Sequence, residues 1–188
     1  MRVISGDKKG HRLKAPKGFD VRPTEDKIKE SIFNILKPLK IEFTVLDLFA
    51  GSGSIGIEFL SRGAKKVYFI DVKQNSIDII KENLRHTKLE DKSTVLKLEA
   101  NRVLRKFLKD NLKFDYIYLD PPFKNHELLF NVVDYITKHD LLEKNGLILI
   151  EHEKELNLKL NINNFYRCDY RNYGSKSISF YKKQEVLK

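Results

Sequence analysis

The sequence predicts an α/β fold: a doubly wound, mostly parallel sheet that ends in an antiparallel hairpin, preceded by a small basic hairpin and a helix. Three observations predict it. Between residues 45 and 150, short apolar runs of strand length alternate with segments of helical periodicity, the βαβ pattern of parallel sheets. The first run, Val45–Phe49, opens into the glycine turn Gly51-Ser52-Gly53 and then a helix. Near the C-terminus the pattern breaks into two alternating stretches, 164–170 and 176–182, joined through Asn172-Tyr173-Gly174. So short a connection makes an antiparallel pair.

The elements follow in order. Arg2–Gly6 and Lys8–Lys14 read as two short strands of a basic hairpin whose cations, Lys8, Lys9, Arg12 and Lys14, suit phosphates. An exposed, solvated arm fits the same residues. Pro23 holds Arg22 extended, and Thr24 suits the N-cap of a helix beginning at Glu25 or Asp26. Its stripe is Ile28, Ser31, Ile32, Ile35 and Leu36, and it ends before Pro38. After the glycine turn, Ser54 is placed to cap a helix that runs to about Arg62 and stops at Gly63. Then come a strand at 67–71, a helix at 74–85, a strand at 94–98, a helix at 101–110, a strand at 114–119, a helix at 126–139 and a buried strand at 146–150. The length favours one domain, with residues 1–40 an extension and 41–188 the core.

Composition bounds the function. Cys168 is the only cysteine, so no internal disulfide forms, and a reducing cytoplasm is expected. No apolar run reaches membrane-spanning length, and the five histidines lack zinc-site spacing, so neither a membrane nor a metal is expected. The net charge is +10, and residues 1–40 hold eleven Lys/Arg against five acids. More than half of the excess thus lies in about a fifth of the chain, which favours contact with nucleic acid.

Two motifs carry chemistry. Gly51-x-Gly53-x-x-Gly56 lets a ligand approach the backbone at a helix N-terminus, and Asp71 ends the next apolar run, where a carboxylate can accept ribose hydroxyls. This pattern indicates a nucleoside cofactor without separating NAD from S-adenosylmethionine. The second motif, Asp120-Pro121-Pro122-Phe123, ends the strand at 114–119. In such sheets ligands sit outside the carboxyl ends of the strands, so both motifs are expected to face one crevice. An exocyclic amine would use each residue. Asp120 and the Pro121 carbonyl can each accept an N–H, the prolines fix that carbonyl, and Phe123 can stack on a base for about 1–3 kcal/mol. A parallel sheet with an antiparallel tail is also the class I methyltransferase (Rossmann-like) topology rather than that of a dehydrogenase.

With both motifs placed, the sequence resembles the bacterial 16S ribosomal RNA guanine-N2 methyltransferases over nearly its whole length. The resemblance rests on Arg22-Pro23-Thr24 with the helix through Glu30 and Phe33-Asn34, on Asp47-Leu48-Phe49-Ala50-Gly51-Ser52-Gly53, on Asp120-Pro121-Pro122-Phe123 and on Tyr173-Gly174. It implies methyl transfer from S-adenosylmethionine to guanine N2 in 16S rRNA, on the small ribosomal subunit or its assembly intermediate; a monomer is the default expectation. It implies that Asp47 and the turn Phe49, Ala50, Gly51, Ser52 and Gly53 hold the methionine end. Asp71, with Val72, would hold the ribose, and Glu99-Ala100 the adenine, where the family more often has Asp or Asn before Ala. Asp120, Pro121 and Phe123 would hold the target base, while Lys8, Lys9, Arg12, Lys14, Arg22 and Thr24 face RNA. The nearest alternative is an adenine-N6 methyltransferase on DNA or RNA with the same four-residue motif. An NAD-dependent oxidoreductase leaves Asp120–Phe123 unexplained, and a non-catalytic RNA-binding factor makes the whole constellation an accident.

Overall fold

The computed structural model describes residues 1–15, 23–36, 38–40, 42–122 and 125–184, with side chains in the first helix from residue 26 onward. Arg22, Phe123 and the side chain of Thr24, all assigned roles above, lie outside the described residues. The chain divides into two compact units, Met1–Leu98 and Glu99–Lys188.

The first unit holds helices α1 (Pro23–Ile35), α2 (Ser54–Ser61) and α3 (Gln74–Thr87), and strands β1 (Thr44–Leu48), β2 (Lys66–Asp71) and β3 (Ser93–Lys97). The strands are parallel in the order β3-β2-β1, with Val45 opposite Val67 and Phe69 opposite Val95. Their inward residues Val45, Leu46, Leu48, Val67, Phe69 and Ile70 are buried, as the unbroken apolar runs require. Two expected caps are corrected. Helix α1 begins at Pro23, so Thr24 lies inside its first turn. Proline suits that first position because its φ is preset and its missing N–H has no helical partner to lose. Helix α2 is preceded by Gly53 in the left-handed region (φ 77°), and Ser54 is its first residue rather than its cap.

The second unit holds α4 (Ala100–Lys109), α5 (His126–Lys138) and five strands: β4 (Phe114–Leu119), β5 (Leu142–Glu153), β6 (Asn161–Ile162), β7 (Phe165–Tyr173) and β8 (Lys176–Lys183). Their order is β4-β5-β8-β7-β6. The β4/β5 pair is parallel, and the β5/β8, β7/β8 and β6/β7 pairs are antiparallel, so the predicted fold class holds, tail hairpin included. Strand β5 starts four residues earlier than expected. Phe114 faces Leu142 but Tyr116 faces Leu147, so the segment between them bulges out of register. Gly146 allows it, since a Cβ there would lie 2.8 Å from the Asp115 carbonyl oxygen. Strand β6, two residues long, is too short to leave a sequence signal. Among the described residues no helix is long and apolar enough to cross a membrane.

The N-terminal hairpin is docked on α2. Arg2 and Arg12 form its antiparallel bridge, and the Val3 N–H donates to the His11 carbonyl at 3.0 Å. Helix α2 is buried along Gly56–Ser61, which leaves Glu58 with no exposed surface. A buried carboxylate persists only where charge and hydrogen bonds replace water. The hairpin supplies the hydrogen bonds: the Ile4 and Ser5 N–H groups donate to Glu58 at 2.8 and 3.0 Å. Arg62 lies 2.8 Å from Oε1, and the buried Lys29 ammonium 3.6 Å from Oε2. Lys29 also donates to the Arg2 carbonyl at 2.5 Å, and Ser61 Oγ to the Ser5 carbonyl at 2.6 Å. Gly6 passes so close that a Cβ would meet the Ser61 carbonyl oxygen at 1.9 Å. Glu58→Ala strands the Lys29 charge and is expected to cost about 3–5 kcal/mol in urea unfolding. A loss below 1 kcal/mol would show that the hairpin is held by other contacts.

Candidate functional site

In the first unit the site grows from the end of β1. Asp47 is buried, and its Oδ2 accepts the Gly56 N–H at 3.0 Å, which ties the strand to the first turn of α2. Gly56 is required there, because a Cβ would come within 2.2 Å of the Phe69 ring and 3.0 Å of Asp47 Oδ2. The chain then turns through Phe49, whose φ is +82°, a conformation costly for a bulky side chain. What holds it is Ile70: its carbonyl accepts the N–H groups of both Phe49 (3.0 Å) and Ala50 (2.8 Å). Gly53 N–H closes the turn on the Ala50 carbonyl at 2.7 Å. Gly51 has positive φ, and a Cβ there would meet no atom within 4 Å, so the turn is open at that point.

Asp71 sits at the end of β2 and braces this turn. Its Oδ2 accepts the Gly51 N–H at 3.0 Å and its Oδ1 the Lys73 N–H at 2.8 Å. A carboxylate has about four acceptor positions, so two hydroxyls could still bind. Val72 beside it is exposed. Ser52 is held through its carbonyl, which accepts from Asn83 Nδ2 at 2.9 Å. Asn83, buried on α3, also bonds the Lys14 backbone in both directions, at 2.8 and 3.0 Å. The structure therefore brings Asp47, Phe49, Ala50, Gly51, Ser52, Gly53 and Asp71 into one bonded loop. Asn83 belongs to it and was missed, since an isolated asparagine on a helical stripe carries no motif.

Of the cations expected from the sequence to face RNA, Lys9, Arg12 and Lys14 are exposed and Lys8 is half-buried. Lys14 pairs with Glu82, and the Lys8 backbone N–H donates to Ser61 Oγ at 2.9 Å.

The remaining candidates lie in the second unit. Glu99 precedes α4 with an exposed side chain 3.6 Å from Arg102, and Ala100, the first residue of α4, is buried. Asp120 and Pro121 follow β4 and line an open depression with Pro122, Asn125, His126, Glu151 and Glu153. Asn125 shapes its rim by capping α5, accepting the Leu128 N–H at 3.1 Å. His126 lies 3.4 Å from Glu153, and burial holds the neighbouring His152 imidazole below its usual pKa. Glu151 and Glu153 were missed because β5 reads only as a buried run.

Comparison with known proteins finds relatives along nearly the full chain. The family model described as "Conserved hypothetical protein 95" matches residues 1–182. A Bacillus subtilis protein that bears an rRNA methyltransferase name, YlbH, is 40% identical over 98% of this chain and 100% of its own length. The Haemophilus influenzae ribosomal RNA small subunit methyltransferase D is 34% identical over 82% of this chain and 80% of its own. A solved Haemophilus influenzae structure described as a methylase superposes with a TM-score of 0.79 at 32% identity, covering 98% of both chains.

Asp47 also makes the unit sensitive to pH. Burial, with the Asp71 charge adding to it against the Gly56 hydrogen bond, pushes its carboxyl up to about 7 from an ordinary 3.8. The folded state then binds a proton that the unfolded chain has already lost, so the Asp47 contribution to stability is fully present below about pH 4 and is lost as pH rises to about 7. Asp47→Asn removes that dependence while keeping an acceptor for Gly56. Urea unfolding is expected to find the variant close to the native protein at pH 4 and more stable at pH 8, by at most about 4 kcal/mol. A difference that does not change with pH would place the Asp47 carboxyl near its ordinary value.

Proposed function

Because the chain belongs to the family of small-subunit ribosomal RNA methyltransferases, we propose that it methylates the N2 amine of a guanine in 16S rRNA, on the small ribosomal subunit or its assembly intermediate. The observation that carries this function is Asp120-Pro121 at the carboxyl end of β4, lining an open depression, in a chain whose β1 ends in a braced glycine turn.

The turn suits S-adenosylmethionine by its own geometry. Gly51 leaves space where a side chain would stand, the first N–H groups of α2 lie beside it, and the Asp71 carboxylate offers a charge opposite to the cofactor's sulfonium and ammonium. In this assignment Asp47 and the segment Phe49–Gly53 hold the methionine end, Asp71 and Val72 the ribose, and Glu99-Ala100 the adenine. When bound, the cofactor supplies an electrophilic methyl group.

The protein's part is to aim the amine. An exocyclic amine is a weak nucleophile because its lone pair is delocalised into the ring. Asp120 and the Pro121 carbonyl each accept one N–H, which leaves the lone pair directed at the methyl. Alignment of this kind can be worth about 7–11 kcal/mol. The Asp120 charge also opposes the positive charge that develops on nitrogen. A strong general base is unnecessary, since the methylated amine cation is very acidic. Phe123 is assigned to stacking on the base, and Lys8, Lys9, Arg12, Lys14, Arg22 and Thr24 to the RNA. The shape of the particle is assigned a share in selecting the nucleotide, which has to be splayed out to be reached.

The test is transfer from labelled S-adenosylmethionine to unmodified small subunits, naked 16S rRNA, large-subunit rRNA and duplex DNA, followed by nucleoside analysis and mapping. N2-methylguanosine should appear mainly on small-subunit particles. N6-methyladenine would keep the chemistry and replace the substrate. Asp120→Ala should abolish turnover and leave cofactor affinity within a few-fold; turnover close to the native rate would remove Asp120 from the mechanism. Neutralising Lys8, Lys9, Arg12 and Lys14 together should flatten the salt dependence of RNA binding by up to about 0.7–0.9 per lost phosphate contact. An unchanged slope would make the hairpin a bystander in binding.

A further inference from the structure

Leu119, the last residue of β4, lies opposite Ile150 of the parallel strand β5. One residue further on, Asp120 and Glu151 stand level at the carboxyl ends of neighbouring strands, which in a sheet run about 4.8 Å apart. Both line the same depression. Glu151 is buried yet held in place from two sides: the Tyr118 hydroxyl donates to Oε2 at 2.5 Å, and the Lys176 ammonium pairs with Oε1. Each oxygen can accept a further hydrogen bond beside these.

Guanine and adenine differ next to the reacting amine. Beside its N2 amine guanine carries N1–H, a donor; beside its N6 amine adenine carries N1, an acceptor. Resting on the guanine-N2 assignment above, we propose that Glu151 accepts the N1–H of the target guanine while Asp120 and the Pro121 carbonyl hold its N2 amine. Glu151 thereby selects guanine over adenine. Two acceptors on adjacent strand ends match the two adjacent donors of the guanine edge. An adenine in the same place sets a lone pair against a carboxylate with no proton between them, and sites built around such a hydrogen bond reject its loss strongly. Tyr118 and Lys176 fix the Glu151 carboxylate, so it cannot swing aside to relieve that clash. The His126–Glu153 pair, more exposed, sits at the rim and takes no part.

The test uses the full-length enzyme and small-subunit particles carrying either guanine or 2-aminopurine at the nucleotide that product mapping identifies. 2-Aminopurine keeps the 2-amine but has no N1–H. The wild-type enzyme is expected to prefer guanine by about 100-fold in kcat/KM. Glu151→Gln should lower guanine turnover and narrow the preference to a few-fold, because the glutamine amide can donate to N1 of 2-aminopurine. Equal methylation of both particles by the wild-type enzyme would overturn the proposal even if the variant fails to fold. So would a Glu151→Gln enzyme that loses both substrates in proportion, the mark of a structural role through Tyr118 and Lys176. Those results leave N2-methylguanosine as the wild-type product. N6-methyladenine, or no methylated guanine at all, would instead overturn the guanine-N2 assignment and this proposal together.

Discussion

The first unit depends on one buried charge. Glu58 stands in a helix buried from Gly56 to Ser61, and it is tolerable only because Lys29, Arg62 and two backbone N–H groups surround it. Those partners come from three places: the N-terminal hairpin, α1 and the end of α2 itself. Burying a carboxylate costs several kcal/mol, so each partner is held where it must be to offset that cost. A basic segment that composition alone would leave in solvent is thereby folded onto the helix that follows the glycine turn. Its Lys9, Arg12 and Lys14 side chains are exposed while its backbone bonds to Glu58 and Ser61.

The same helix links that clamp to the turn. Asp47 grips Gly56 in the first turn of α2, while Ile70 and Asp71 of the neighbouring strand hold Phe49, Ala50 and Gly51 from the other side. The positive φ of Phe49 is sustained by this bonding rather than by any local preference. A strained residue braced from two strands is pre-organised, so ligand binding need not order the turn first. The tail hairpin plays a corresponding part in the second unit, where Lys176 of β8 reaches back to Glu151 of β5.

Much of this was legible in the sequence. Apolar runs of strand length located β1 to β4 within a residue or so, because buried parallel strands leave continuous hydrophobic stretches. Glycine spacing marked the turn, since close approach and positive φ admit little else. What could not be read depends on distant partners. The burial of Glu58 follows from the hairpin that folds over it, which no local pattern reveals. Ser54 looked like a cap, but Gly53 in the left-handed region took that place. The early start of β5 follows from a bulge against β4 that leaves no periodic trace. Asn83 and Glu151 act through residues 69 and 33 positions away, respectively. No short window of sequence contains those pairs.

The Glu58 clamp also has a direction in time. Its partners Arg2, Ile4, Ser5, Lys29, Ser61 and Arg62 are all made before residue 63. The parallel strand β2, by contrast, must wait for α2 to cross over, and β3 for α3. Chains gather their N-terminal segments first as they emerge from synthesis. The hairpin, α1 and α2 can therefore close on one another while the rest of the sheet is still unmade, with the helix that carries the turn already seated when its strands arrive.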